Sequence, residues 1–299
     1  MTLDLTGHIE LPENKGGGGF DHAAVHAASG HVYLAHTAND AVDVFDDRQY
    51  LFSIPGLKAV AGALVSDEAN LVFSSNRGED TVGIFAPGPQ PDVAKVAVGA
   101  APNGLAYDAG RKLLLAAGLG TFTTVDVGAL KARATFAAPG RTRWTVFDAE
   151  AGLFYANVMD PAVIAVIDAR TPDRLAHMFA VPAAGPHGLD LDPESRRLFC
   201  ACDAACLFTI DPAGGKILAE APLSGTPDVV FFNRRLRQLY VAVGDPGVID
   251  VFDTRTMRNI GRVETERGAH TTALSPAGDR LYAFLPRTHR AAVYRIGEP

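Results

Sequence analysis

The chain has 299 residues, 47% hydrophobic and 20% charged, with a formal net charge of -7. That is enough apolar material for a substantial core, and no run of Lys or Arg offers a grip on a nucleic-acid backbone. No stretch approaches the apolar length of a membrane span, so neither nucleic acid nor membrane is expected as a partner.

Met1 to His8 lacks the basic and apolar regions of a secretion signal, and a cytoplasmic location is expected unless a leader precedes it. The first predicted element is a strand from Leu5 to Leu11. Gly16 to Gly19 follows as a flexible lead-in, with neither the helix nor the Lys-Ser/Thr of a phosphate-cradling loop.

From there the chain repeats. Asp21, Ala61, Asn103, Arg143, His187, Asp228 and His270 occupy equivalent positions, in steps of 40, 42, 40, 44, 41 and 42 residues. Each starts a short apolar strand, followed by a polar turn, a second strand with an aliphatic or aromatic centre, and a third. Gly185-Pro186-His187-Gly188-Leu189-Asp190, then Arg197 to Cys202, then Leu207 to Asp211, shows the pattern. Val, Phe, Tyr, Leu and Ile alternate with small or polar residues, Gly, Pro, Asn and Asp punctuate them, and no helix-length period of 3.6 appears. Short strands at this period predict an all-β, seven-bladed β-propeller of four-stranded blades. The last copy supplies only three strands: His270 to Leu274, Arg280 to Leu285 and Ala291 to Ile296. The N-terminal strand is expected to complete it, closing the ring and removing exposed edges. With no linker or compositional break, residues 1–299 read as one domain.

The repeated pairs Tyr33-Leu34-Ala35-His36 with Ala41 to Asp46, Tyr155-Ala156-Asn157 with Val163 to Asp168, and Tyr240 to Val243 with Val248 to Asp253 carry a resemblance. The chain resembles YVTN-repeat propellers over nearly its whole length. That resemblance implies the fold and leaves the function to the site.

If the first strand of each repeat is innermost, the seven anchors ring one mouth of a central channel. His187, Asp228 and His270 come in succession, followed by Asp21 and His22. Two imidazoles and a carboxylate with open positions suit a divalent metal such as Fe, Mn or Zn, with Asp21 or His22 as a further ligand. Alternatively His187 or His270 is a general base tuned by Asp228 or Asp21, or the mouth is only wet and polar. No organic cofactor is expected. Arg143 could hold a substrate carboxylate or phosphate, and Asn103 could orient a carbonyl. Trp144 could stack on substrate or pack between blades. His36, ending a second strand, could touch substrate or support the site. Cys200, Cys202 and Cys206 read as core residues rather than ligands or a disulfide framework.

Virginiamycin B lyase and the metal-dependent lactonases are similar in architecture and in placing His, Asp and Asn at blade starts. No anchor here is Glu, which argues against a Ca²⁺ lactonase centre. The expected function is a metal-dependent hydrolase of lactone or ester type, or a lyase, acting on a small oxygen-rich metabolite. The alternative is a non-catalytic propeller serving as a ligand- or protein-binding platform. Nothing in the sequence sets an oligomeric state.

Overall fold

Val32–His36, Ala41–Phe45 and Leu113–Ala117 are buried at every position. Strands buried on both faces belong in the middle of sheets that stack face to face, which explains their mainly apolar composition, interrupted only by His36 and Asp43. The computed structural model describes residues 3–297, so the outermost two residues of the expected domain at each end lie outside the described residues. Every sheet among the described residues is antiparallel and follows chain order from the centre outward.

Phe20–Val25, Val32–His36, Ala41–Phe45 and Tyr50–Pro55 form the first sheet. Val60–Ser66, Leu71–Asn76, Thr81–Phe85 and Ala94–Ala97 form the second. The third has seven strands, running from Gly104–Asp108 through Lys131–Asp148 to His177–Ala180. Pro186–Asp192 leads the fourth sheet and Thr226–Asn233 the fifth, each with three further strands. The sixth joins Thr272–Leu274, Arg280–Leu285 and Arg290–Ile296 to Leu3–Glu10. The N-terminal strand thus completes the last sheet, in register from Leu3 opposite Ile296 to Glu10 opposite Arg290. Leading strands of successive sheets pack against each other around the ring, with Lys131–Asp148 standing between Gly104–Asp108 and Pro186–Asp192, and Phe20–Val25 packs against Thr272–Leu274.

The expectation of seven four-stranded blades is corrected here: five sheets have four strands, and one has seven. The cause is Lys131–Asp148, an uninterrupted strand of 18 residues. Lys131 to Arg141 pair with Leu119–Asp126, and Thr142 to Asp148 pair with Leu153–Val158. Pro139 and Gly140 would ordinarily mark a break. Pro139 sits where the register shifts, between the pairs Thr121–Ala137 and Leu119–Arg141. A Cβ on Gly140 would lie 1.9 Å from the Asp160 carbonyl oxygen, so glycine lets the strand pass its neighbour. Elsewhere the chain leaves an outermost strand through a loop before starting the next sheet.

The core lies between the sheets. Tyr33, Val42, Val44, Ile54, Val60, Val72 and Phe85 form one such layer, and Tyr240, Ile249, Val251, Leu281, Ala292 and Tyr294 another. The turns after the leading strands are capped by buried side chains: Asp108 accepts from the Arg111 amide, Asp148 from Glu150 and Ala151, and Asn233 from Leu236. His26 holds the same position in the first sheet. It is buried rather than superficial, bonded to Ser29 Oγ at 2.8 Å and Asn70 Oδ1 at 3.1 Å.

Candidate functional site

A recurring irregularity aims the anchors at the channel. In four leading strands the register slips just past the strand's start, between Phe20 and Ala23, Val60 and Gly62, Pro186 and Gly188, and Pro227 and Val230, and it slips likewise between Thr142 and Thr145, where Lys131–Asp148 begins to pair with Leu153–Val158. The residues inside these bulges are Asp21 and His22, Ala61, Arg143 and Trp144, His187, and Asp228 and Val229. A bulge leaves its extra residue outside the ladder and turns its side chain. Asn103 and His270 come just before the strands Gly104–Asp108 and Thr272–Leu274. Glycine follows several anchors for a steric reason. A Cβ on Gly188 would meet the Asp228 carbonyl oxygen at 2.4 Å, and one on Gly104 the Arg143 carbonyl oxygen at 2.2 Å.

Five predicted residues converge. His270 Nδ1 lies 2.7 Å from Asp228 Oδ2, and His187 Nε2 lies 3.1 Å from Asp228 Oδ1. The second contact is ionic without hydrogen-bond alignment, because Asp228 Oδ1 is buried and has no aligned donor among the described residues. His22 Nε2 is 3.3 Å from Asp21 Oδ1 and 4.0 Å from Asp228 Oδ1. Asp228 is therefore the hub of three imidazoles. Asn103 Oδ1 sits 3.5 Å from Arg77 Nη2 at the rim. Arg143 donates Nε–H to Met159 Sδ at 2.9 Å and has no carboxylate at ion-pair distance among the described residues. Trp144 meets the His22 ring edge-on at 4.3 Å and Phe231 at 5.9 Å. It therefore both packs and faces the channel. Beyond it, Leu64, Leu105, Phe231 and Leu274 line an apolar cavity of about 220 Å³.

The charges separate the imidazoles. Burial disfavours the His187 cation, but the charge of Asp228 and the bonds to Asp203 and Asp228 outweigh it and carry the pKa up to about 9. His270 is raised too, with burial overcome by its bond to Asp228. Burial wins at His22, whose pKa is lowered despite Asp21 and Asp228. Burial would push the Asp228 carboxyl up; His187 and His270 instead hold it well below the usual range. Arg143 is lowered by burial and by the neighbouring charge of Arg141.

One sequence expectation is corrected. His36 is not at the mouth: it is fully buried, with Nδ1 2.6 Å from Asp43 Oδ2 and Nε2 2.8 Å from Asn14 Oδ1. The metal set His187, Asp228, His270 and Asp21 or His22 does not present itself as a ligand cage, since no three His, Cys, Asp or Glu side chains among the described residues are arranged to hold an ion. The point that the imidazoles share is a carboxylate. Cys200 and Cys202 are buried, as expected.

Sequence reasoning missed Asp203, which lies 2.7 Å from His187 Nδ1; Arg77, which the sequence reads as a turn residue paired with Glu79 and Asp80, pairs with Asp21. Both stand one residue beyond the ends of second strands, Arg197–Cys202 and Leu71–Asn76. The signal was the strand end itself, shifted by one position.

No protein-family profile matches the chain, and no curated protein matches it. Among solved structures it is similar to a chain of Kuenenia stuttgartiensis hydrazine synthase, at 15% identity and a TM-score of 0.82, covering 93% of this chain and 96% of that one. It is also similar to a chain in the crystal structure of a mitotic checkpoint complex, at 13% identity and a TM-score of 0.84, covering 99% of this chain and 93% of that one. At such identities the likeness is one of fold, and the chain is an all-β propeller. No helix among the described residues is long and apolar enough to cross a membrane.

Proposed function

We propose that the channel mouth of this YVTN-like propeller is a proton-transfer site acting on a small, oxygen-rich anionic metabolite, and that the reaction is hydrolysis of a lactone or ester. The carrying observation is the Asp228–His270 pair. Asp228 Oδ2 fixes Nδ1, the side chain is 41% exposed, and Nε2 has no protein partner among the described residues. A carboxylate behind an imidazole sets its tautomer and supports the charge it gains when it takes a proton.

His270 Nε2 then takes a proton from water, and the hydroxide adds to the ester carbonyl. The developing oxyanion is balanced by the His187 imidazolium and by Arg143. The proton on His270 returns to the leaving alkoxide. His187 cannot play the mobile role, because both its ring nitrogens face carboxylates, Asp203 and Asp228. The same base removing a proton from the carbon beside a carboxylate held by Arg143, with the C–O bond on the next carbon breaking and the proton passing from His270 to the departing oxygen, would give the lyase reaction.

The test is a panel of lactones and carboxylate-bearing esters followed from pH 5 to 9. His270→Ala and Asp228→Asn are expected to lower kcat/KM by about 10²- to 10⁴-fold while the fold is kept. Turnover unaffected by both substitutions contradicts the reading, and no turnover of any member favours the binding platform.

A further inference from the structure

We propose that the cavity between Arg77 and Arg141 is a second oxyanion subsite, so that the substrate carries an anionic group at each end, one on Arg143 and one here. The inference rests on the proton-transfer reading for its link to substrate. The cavity, about 240 Å³, is lined by Arg77, Asn103, Gly118, Leu119, Arg141 and Thr142. It adjoins the acid–base cluster through Arg77, whose Nη2 bonds to both Asp21 and Asn103.

Three features point to an anion. Arg141 has no hydrogen-bonding or ion-pair partner for its guanidinium among the described residues, although the chain carries 34 Asp and Glu against 27 Lys and Arg. Arg141 and Arg143, two residues apart on one strand, are close enough for the charge of one to disfavour the other. Arg77 Nε is buried and has no acceptor among the described residues. Arg77 is balanced by Asp21, but Arg141 and Arg143 have no carboxylate at ion-pair distance among the described residues, so their charges repel, and an anion at Arg141 removes part of that cost. A guanidinium fork suits the planar carboxylate and the phosphate alike. The small volume favours a compact group on a short carbon chain over a nucleotide or a sugar polymer.

The experiment measures binding of malonate, succinate, glutarate and adipate against monocarboxylates of matching chain length, by calorimetry and by the fluorescence of Trp144, the only tryptophan. 3-Phosphonopropionate and succinate together distinguish a phosphate from a carboxylate preference. The best-fitting dianion is expected to bind the unmodified protein at least about tenfold more tightly than its monoanion. Arg141→Met is expected to abolish that preference and leave the monoanion's affinity unchanged, while Arg143→Met weakens both. Equal binding of mono- and dianions, no binding of either, or a preference that survives Arg141→Met overturns the subsite. Because these are binding measurements, a preference lost with Arg141 and found alongside a failed ester panel keeps the subsite and removes only the proposed chemistry.

Discussion

Two His–Asp pairs in this propeller have nearly the same length and opposite surroundings. His36 Nδ1 lies 2.6 Å from Asp43, and His270 Nδ1 lies 2.7 Å from Asp228. The other nitrogen decides what each can do. That of His36 is bonded to Asn14 in a fully buried setting, while Asp43 also accepts from Ser53, so the pair is a closed network. That of His270 has no protein partner among the described residues and belongs to a side chain 41% exposed. Imidazole–carboxylate contact alone therefore marks no site; the second nitrogen, left without a protein partner on a partly exposed side chain, is what distinguishes His270. The first pair should report on stability and the second on chemistry.

The sharpest break of this contrast is catalytic. His270→Ala should remove turnover by the factors given above and leave the denaturant midpoint nearly unchanged, whereas His36→Ala should leave kcat/KM intact in the folded fraction. Next, His36→Ala should lower the unfolding free energy by about 3–5 kcal/mol in urea titrations, since it strands a buried carboxylate. Loss of activity without loss of stability in His36→Ala would erase the distinction.

A third effect runs through pH. The folded pKa of His187, about 9, is above its unfolded value near 6.5. Its contribution is thus fully present below about pH 6.5 and is lost as pH rises through 9. Unfolding at pH 6 and pH 9.5 should differ by up to about 3 kcal/mol from this group, and His187→Gln should flatten that slope. A fourth effect concerns Asp190, whose carboxyl is pushed up from 3.8 to about 7 by burial although it accepts the amides of Phe232 and Leu191. Its contribution is fully present below 3.8 and is lost as pH rises through 7. Asp190→Asn should therefore raise the melting temperature most at pH 8, less at pH 5 and least below pH 4.

Much of this architecture was legible in the chain. The alternating runs, the steps near forty residues and the lone N-terminal strand led to the propeller and to its closure by Leu3–Glu10. The anchors His187, Asp228, His270, Asp21 and His22 were found because a shared position that keeps changing chemistry has no packing reason to do so. The continuous strand Lys131–Asp148 was not legible because Pro139 and Gly140 ordinarily mark a break, while the register shift and the close passage of the Asp160 carbonyl that let the strand continue are tertiary. Asp203 and Arg77 escaped because a strand end is uncertain by one residue, and one residue turns a side chain from the core to the mouth. His36 was misplaced for the same reason: ending a strand beside the mouth is not pointing into it. That Asp228 takes the central place among the imidazoles was not legible, because it depends on how the strands meet around the mouth.

Imidazole nitrogen NMR across pH 5 to 10, with each resonance assigned by substitution, tests the central claim without any substrate. The account predicts that His187 loses its proton near pH 9, that His270 titrates above the ordinary imidazole value and that His22 titrates below it. His187 and His270 both deprotonating at or below 6.5, unaffected by Asp228→Asn, would contradict it.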